Sequence, residues 1–121
     1  MITVILGASQ DPSSYSWMAA RKLESNGFSF VPLSNKRGKL FDQDILDIHD
    51  KPEIPDVHTI VVYLRAEKQV EWYEYLFSLS PERIIFNPGA ENPELFMLAK
   101  EKGIRVENAC TLTLLSIGAY S

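Results

Sequence analysis

Short apolar runs alternate along the chain with longer segments in which apolar residues recur every three or four positions. The apolar runs are bounded by turn residues and predict buried strands, whereas the amphipathic segments predict helices. Alternation of strand and helix is typical of a parallel sheet with helices on both faces. The strands are predicted at 2–6, 28–33, 57–64, 83–86 and 104–107, and the helices at 15–25, 67–78, 93–102 and 111–117.

The stretch between the second strand and residue 57 is the least regular part of this pattern. Residues 34–39 are polar and basic and predict a loop, and residues 51–56 contain two prolines and predict another. Ile45, Leu46 and Ile48 form either a short third strand or a helical turn. The sequence therefore predicts a three-layer α/β domain over residues 1–121, with five or six parallel strands and right-handed crossovers.

Two helix starts carry strong local signals. Ser13 or Ser14 caps the helix that begins at Tyr15, and Asn26-Gly27 supplies its left-handed stop. In Asn92-Pro93-Glu94 the cap, the N1 proline and the first-turn acid all occupy their preferred places. Each of these helices therefore begins at a turn that follows a predicted strand.

The composition narrows the class of protein. Apolar residues make up 45% and charged residues 23% of the 121 residues, values typical of an ordered globular domain. The net charge of −4 argues against broad nucleic-acid binding, which needs many cationic contacts to phosphates. No apolar run approaches the roughly 20 residues of a membrane span. Because the chain has a single cysteine, an internal disulfide and a multi-thiolate metal site are excluded, and no metal site is predicted. The lack of a disulfide fits a reducing compartment, so a cytoplasmic location is expected.

Three predicted strand-to-helix turns carry the candidate chemistry. They are Gly7-Ala8-Ser9, the loop from Asn87 to Asn92, and the segment around Cys110. The carboxyl ends of parallel strands meet at one edge of a sheet, and open α/β sheets bind their ligands in a crevice there. We therefore expect the three turns to border one crevice, and their residues favour a phosphorylated ligand.

The first turn is suited to an anion. Gly7 permits close approach of the backbone to a ligand, and the free N–H groups at the start of the next helix face the same space. Hydroxyl donors are added by Ser9, Ser13, Ser14 and Ser16. The dinucleotide fingerprint needs three glycines, whereas this turn has one, so a tight serine-capped turn without a ligand is the alternative.

The end of the second strand distinguishes between nucleotide ligands. An NAD site places Asp or Glu there to hold the ribose hydroxyls. The chain instead has Ser34, Asn35 and Lys36, with further cations at Arg37 and Lys39 and no acid. Three cations within four residues suit a phosphate on the ribose, as in NADP or coenzyme A. An ordinary solvated basic loop is the alternative.

The loop at 87–92 is tightly specified by its sequence. Pro88 makes it rigid and Gly89 makes the next position permissive. Asn92 is predicted to cap the following helix. Glu91 is not needed for that cap, so it is the better candidate to accept a hydrogen bond from a ligand.

Arg65 and Cys110 complete the candidates at this edge. Arg65 follows the strand at 57–64, across the topological switch from the first strand, and either faces the crevice or lies at the surface as a helix entry. Cys110 stands before the last helix and is either a reactive thiol or a small packed side chain.

Taken in order along the chain, these residues resemble the small stand-alone CoA-binding domain proteins, which are similar to the nucleotide-binding domain of the succinyl-CoA ligase alpha subunit. The resemblance covers nearly all 121 residues. It is carried by Gly7-Ala8-Ser9 with Tyr15-Ser16, the strand end at 31–35, the loop at 87–92, Gly103-Ile104 and residues 109–112. It implies a Rossmann-like three-layer α/β/α sandwich.

The resemblance further implies that the chain binds coenzyme A or an acyl-CoA at the carboxyl edge of the sheet. By this resemblance, residues 7–9 would contact the pyrophosphate. Ser34 and Lys36 would contact the adenosine 3′-phosphate end. Arg65 and residues 87–92 would flank the ligand further along. Ligase activity is not implied, because the ligase's phosphohistidine belongs to a part of that enzyme absent here. The candidate binding residues are Gly7, Ala8, Ser9, Ser14, Tyr15, Ser16, Ser34, Asn35, Lys36, Arg65, Asn87, Pro88, Gly89, Glu91, Asn92 and Cys110.

Two other functions stay open at this point. The basic loop also permits an NADP-type nucleotide-binding oxidoreductase or sensor, although the sequence offers no acid/base pair and no second substrate domain. The aromatic segment 70–77 either packs into the core or leaves aromatics for a partner surface, and the second case permits a protein-interaction domain without a ligand, and a homodimer. We expect non-catalytic binding of a small molecule, with neither a nucleic-acid nor a membrane partner.

Overall fold

The computed structural model describes residues 1–121 and contains eight strands and five helices. In chain order these are β1 (Ile2–Leu6), α1 (Tyr15–Ser25), β2 (Ser29–Ser34), β3 (Lys39–Leu40), β4 (Gln43–Asp44), β5 (Leu46–Asp47), β6 (Val57–Val62), α2 (Ala66–Gln69), α3 (Tyr73–Ser78), β7 (Arg83–Phe86), α4 (Pro93–Glu101), β8 (Arg105–Asn108) and α5 (Thr111–Ser116), with 3₁₀ turns at Ile48–Asp50 and Val70–Trp72.

Six strands form one sheet in the order β5-β2-β1-β6-β7-β8, and all neighbouring pairs are parallel. β1 therefore has β2 on one side and β6 on the other. The strand order reverses between β1 and β6, so a crevice opens there at the carboxyl edge. The predicted Rossmann-like α/β fold is confirmed, with six strands.

Alternate side chains of the strands face opposite helical layers, as the period of a strand requires. Leu6 packs into one core cluster with Leu76 of α3 and other residues of α3 and α4. Ile5, its neighbour on β1, packs into a second cluster with Leu23 of α1 and Leu115 of α5. The sheet is therefore covered by α1 and α5 on one face and by α3 and α4 on the other, which gives the three predicted layers.

The segment that the sequence left undecided contains both of the alternatives. Leu46–Asp47 is β5, an edge strand that pairs with the end of β2, and Ile48–Asp50 is a 3₁₀ turn. The antiparallel hairpin of β3 and β4 just before it was not predicted from the sequence. Phe41 adopts the left-handed conformation at its turn, with φ 58°. Glycine or asparagine usually marks such a turn, and neither is present.

The continuous helix predicted at 67–78 was wrong, because a 3₁₀ turn divides the segment at Val70–Trp72. Trp72 leaves the helical conformation with φ −108° and ψ 1°. The tighter turn changes the angular spacing of the side chains, so that both halves face the sheet. Four side chains of the segment are buried as a result: Gln69, Trp72, Tyr75 and Leu76.

The remaining elements lie close to their predicted bounds. β6 ends at Val62, two residues before the predicted end at Leu64, which places Tyr63 in the following turn. Ser14 caps α1 by accepting a hydrogen bond from the Trp17 N–H at 3.2 Å. Asn92 caps α4 in the same way, from the Leu95 N–H at 3.1 Å. None of the helices combines the length and the hydropathy that crossing a bilayer requires.

Candidate functional site

The turn after β1 brings the backbones of β1, β2 and β6 close together. Gly7 has φ +92°, and its N–H donates to the Leu33 carbonyl at 2.8 Å. A Cβ atom at this position would lie 3.0 Å from the Leu64 backbone nitrogen. Only glycine fits both the conformation and the space, so the floor of the crevice is bare backbone.

A groove of about 290 Å³ lies over this turn at the carboxyl ends of β1, β2 and β6. Its wall combines the predicted Gly7 turn, the predicted basic loop and the start of the helical segment after β6. Three lining residues are cations and none is an acid. The groove is lined by Gly7, Ala8, Ser9, Ser34, Asn35, Lys36, Tyr63, Leu64, Arg65 and Lys68.

The cations of the groove have few competing partners within the protein. The Lys36 backbone N–H donates to the Ser34 hydroxyl at 3.3 Å, which fixes the loop and leaves the ammonium group free. Arg65 Nε lies 2.9 Å from a carboxylate oxygen of Glu67, and both side chains are exposed. Because an exposed ion pair contributes little, the rest of the guanidinium remains available to an anion.

Asp11, which the sequence analysis did not single out, organises the loop between Gly7 and α1. Its carboxylate accepts hydrogen bonds from the Ser13 N–H at 2.9 Å and the Ser13 hydroxyl at 2.8 Å. These bonds hold the pKa of Asp11 below its ordinary value. The Ser9 hydroxyl accepts from the Asp11 N–H, and the Ser14 hydroxyl donates to the Asp11 carbonyl. The serine hydroxyls are thus largely engaged within the loop, which leaves the cations as the main anion partners.

A second cavity, of about 220 Å³, adjoins the groove at Tyr63. Tyr15 stands at this cavity with 70% of its surface exposed. The other lining residues are mostly apolar, and none is charged: Asn87, Pro88, Cys110 and Leu112, with Tyr63 on the side of the groove. The carboxyl edge therefore passes from a cationic groove to an apolar cavity.

The hydroxyls of Tyr63 and Thr111 are both buried and lie next to each other. Burial raises the pKa of Tyr63 far above its ordinary value, and the neighbouring Thr111 hydroxyl offsets this only in part, so the hydroxyl stays protonated. Both oxygen atoms are inaccessible to solvent, so they lie behind the surface of the cavity.

Asn87 shapes the apolar cavity. Its Nδ2 donates to the Val62 carbonyl at 3.1 Å, and its Oδ1 accepts from the Thr111 N–H at 2.8 Å. The side chain is 2% exposed. Asn87 therefore joins the ends of β6 and β7 to the start of α5 and holds the cavity open between them.

Cys110 precedes α5 at the N-cap position, half-buried, and lines the apolar cavity. The Thr113 hydroxyl, supported by the backbone N–H groups of Thr113 and Leu112, lowers the pKa of the Cys110 thiol from its ordinary value. No basic side chain lines the cavity beside it. The geometry therefore provides an accessible thiol with increased thiolate character, but no adjacent general base.

A buried network behind the cavity holds the loop at 87–92. Gln69 Nε2 donates to the Leu64 carbonyl at 2.7 Å and to the Ala90 carbonyl at 2.9 Å. Gln69 Oε1 accepts from Asn92 Nδ2 at 2.9 Å. Asn92 also donates to the Tyr73 hydroxyl at 2.9 Å. The loop after β7 is thus fixed to the segment after β6 by side chains that are buried behind the groove.

Most predicted site residues border the groove or the cavity, whereas a smaller set does not. Those at the border are Gly7, Ala8, Ser9, Tyr15, Ser34, Asn35, Lys36, Arg65, Asn87, Pro88 and Cys110. The others make contacts within the protein. Ser14 and Asn92 cap helices, Ser16 is buried, and the Glu91 carboxylate accepts from the Gly89 N–H at 2.8 Å.

Four residues at the border were missed by the sequence analysis: Tyr63, Leu64, Lys68 and Leu112. Tyr63 and Leu64 were assigned to the strand, although their place at its carboxyl end was a usable signal. Lys68 follows Arg65 by three positions, a spacing that puts two helical side chains on one face. Leu112 lies in the segment 109–112 that carries the family resemblance, but it was not named as a binding residue.

Comparison with known proteins gives one family match. Residues 2–116 match the family model described as the CoA binding domain. Among curated proteins, none matches the chain.

Several solved structures share the fold. A crystal structure of an uncharacterized protein is 39% identical, with a TM-score of 0.94, and the match covers 98% of this chain and 96% of that one. A protein from Thermus thermophilus is 22% identical, with a TM-score of 0.82 over 94% of this chain and 89% of that chain. A hypothetical protein from Pyrococcus horikoshii OT3 is 19% identical, with a TM-score of 0.77 over 92% of this chain and 78% of that chain. The last two establish similarity of fold alone.

Proposed function

The chain belongs to the CoA-binding domain family, and on this premise we propose that it binds coenzyme A or an acyl-CoA at the carboxyl edge of the sheet, without catalysing a reaction. The observation that carries the proposal is the change of polarity along that edge. A groove with three cations and no acid leads, past Tyr63, into a small apolar cavity.

This gradient matches the chemistry of the ligand. Coenzyme A carries its phosphates at the adenosine end and a neutral pantetheine arm with a thiol at the other end. Lys36, Arg65 and Lys68 would neutralise the phosphates, and the Gly7 turn would let the pyrophosphate approach the backbone. Lys36 lies with Ser34 and Asn35 in the loop after β2, and the end of this strand is where such a sheet contacts the ribose of a nucleotide. The 3′-phosphate on the ribose is therefore assigned to Lys36.

The apolar cavity would receive the pantetheine arm. The polar groups of the pantetheine arm are amides without charge, and the lining of the cavity is likewise uncharged. The volume of about 220 Å³ suits the thiol end with at most a short acyl group. The thiol end would then lie near Cys110.

The absence of catalysis is proposed from the lining residues. Acyl transfer or hydrolysis needs a nucleophile next to a base. The cavity contains the Cys110 thiol but no histidine, carboxylate or lysine, and the groove contains cations but no base.

The deciding experiment is a thermal-shift and calorimetry panel of coenzyme A, 3′-dephospho-CoA, acetyl-CoA, NADP, NAD and ATP on the purified protein. At 100 times its dissociation constant a ligand stabilises the fold by about 2.7 kcal/mol, which is readily measured. Stabilisation by coenzyme A and acetyl-CoA supports the proposal. A shift with NADP alone favours the oxidoreductase or sensor, and a flat response to all six favours a protein-interaction domain without a ligand.

Reversing the charge at Lys36 should weaken coenzyme A binding about tenfold or more, because a charge-assisted hydrogen bond contributes about 1.5–3 kcal/mol. The Lys36→Glu variant should bind 3′-dephospho-CoA about as well as the unmodified protein does. Lys100→Glu, an exposed site on α4, makes the same change of net charge away from the groove and serves as the control. Equal losses for both ligands would contradict the assignment of the 3′-phosphate to Lys36.

The Cys110 thiol should react with iodoacetamide faster than a free cysteine at neutral pH. Because its pKa is lowered, the rate should rise with pH and level off at a lower pH than for the free thiol. Saturating coenzyme A should slow the reaction at least severalfold, since the pantetheine arm would cover the sulfur. Mass spectrometry of the intact protein measures the modification of Cys110 directly, because Cys110 is the only cysteine. Binding without protection would place the arm outside the cavity.

A further inference from the structure

The sheet has one long open edge, at β8. This strand pairs with β7 on one side only. The opposite edge is formed by β5, which has two residues and is followed directly by a 3₁₀ turn. An open edge presents unpaired N–H and C=O groups to any strand that can match it.

The backbone groups that β8 presents include those of Val106, and those of Asn108 by the same alternation. The Arg105 N–H donates to the Glu82 carbonyl at 3.0 Å, and the Ala109 N–H donates to the Phe86 carbonyl at 3.1 Å, so these residues bond toward β7. Alternate residues of a parallel strand bond to opposite sides. The N–H and C=O groups of Val106 therefore point away from the sheet.

The charges next to Val106 are complementary to a second copy of themselves. Arg105 and Glu107 lie on the same face of β8, one on each side of Val106. In an antiparallel pair of β8 strands centred on Val106, each Arg105 stands directly opposite Glu107 of the other copy. Centring the pair on Glu107 would instead oppose the two glutamates, which is unfavourable. The charges of Arg105 and Glu107 thus favour the register centred on Val106 over the one centred on Glu107.

Glu107 keeps part of its carboxylate free for such a contact. It lies 3.7 Å from Arg83 Nη1, and its side chain is 40% exposed. Arg105 is exposed and makes no ion pair within the chain. Both members of the intermolecular pair are therefore accessible at the edge.

We propose that two copies of the chain associate through β8, antiparallel and centred on Val106, so that one sheet continues across a dimer. This proposal does not depend on what the carboxyl edge binds.

Sedimentation equilibrium over a wide range of concentration tests the association. The mass should rise from 13.7 kDa toward twice that value. Arg105→Glu and Glu107→Arg should each weaken self-association at least tenfold, because like charges then face each other twice in the dimer. An equimolar mixture of the two variants should associate again, since every opposed pair becomes Glu with Arg. Arg37→Glu, near the other end of the sheet, makes the same charge change and should have no effect.

Two results would overturn the proposal: a monomer at all concentrations, or a dimer that both single variants leave intact. Glu107→Arg also loses its contact with Arg83, so its melting temperature is compared with that of the unmodified protein. If this variant does not fold, Val106→Pro replaces it. Proline removes only the outward N–H, which no bond within the chain uses, and should abolish the dimer while the melt is retained. A dimer that persists in folded Val106→Pro likewise rejects the proposed pairing.

Discussion

Replacing Gly7 with alanine should lower the free energy of unfolding by about 3 kcal/mol and weaken coenzyme A binding more than tenfold. Part of the cost is conformational, because Gly7 has φ +92°, where a side chain is strained. The rest comes from the Cβ atom, which would lie 3.0 Å from the Leu64 backbone nitrogen. To relieve that contact the turn must move away from β6, and the floor of the groove moves with it.

Gly89→Ala is the matched control, since Gly89 has the same φ of +92° but no atom within 4 Å of the added Cβ. This variant should lower the free energy of unfolding only by the conformational cost, about 1–2 kcal/mol. Urea denaturation gives both free energies, and calorimetry with coenzyme A gives the affinities. Equal losses of stability in the two variants would mean that the close approach of β1 to β6 contributes nothing. If folded Gly7→Ala binds coenzyme A with unchanged affinity, the turn is not part of the binding site.

Replacing Arg83 with alanine should lower the free energy of unfolding by about 3 kcal/mol. Arg83 is 3% exposed at the start of β7. Its Nε donates to the Thr59 hydroxyl at 3.0 Å, its Nη1 donates to the Tyr120 carbonyl, and its guanidinium lies 4.6 Å from the centre of the Tyr120 ring. The variant would leave a cavity and a buried carbonyl without a donor, and would loosen the segment after α5.

Arg37→Ala, at an exposed arginine, is the comparison and should change stability by less than about 0.5 kcal/mol. Tyr120→Phe removes only the hydroxyl that bonds Thr3 at 2.6 Å and should cost about 1 kcal/mol. These measurements belong at low protein concentration, so that any self-association does not contribute. A loss for Arg83→Ala no larger than that for Tyr120→Phe would contradict the prediction that the contacts of Arg83 stabilise the fold by more than one hydroxyl hydrogen bond does.

The sequence was sufficient for those parts of the structure that local chemistry determines. The caps at Ser14 and Asn92 depend on residues within one turn, and the parallel sheet follows from the alternation of apolar runs and amphipathic segments. The convergence of the Gly7 turn and the basic loop also followed, because parallel strands bring their carboxyl ends to one edge. These predictions required no knowledge of distant side-chain contacts.

The features that local patterns do not show depend on distant partners. Tyr63 reads as an ordinary strand residue, and only the folded chain buries its hydroxyl against that of Thr111. Arg83 lies at the start of a predicted strand, and its burial depends on Tyr120. Asn87 stays a predicted ligand contact at the cavity, although its amide already bonds Val62 and Thr111. Which polar groups are free for a ligand is decided by such pairings, which no local pattern reports.

The bond between the Thr3 and Tyr120 hydroxyls joins residues 117 positions apart in the sequence, and this has a consequence for the order of folding. Contacts that close such long loops form late, because the chain entropy they remove is large. The helical layer made by α3 and α4 can assemble on the sheet from nearby segments. The opposite layer is complete only when α1 can pack with α5 and Tyr120. A nascent chain therefore carries its central strand, β1, with one face incompletely covered until α5 and Tyr120 have been synthesised.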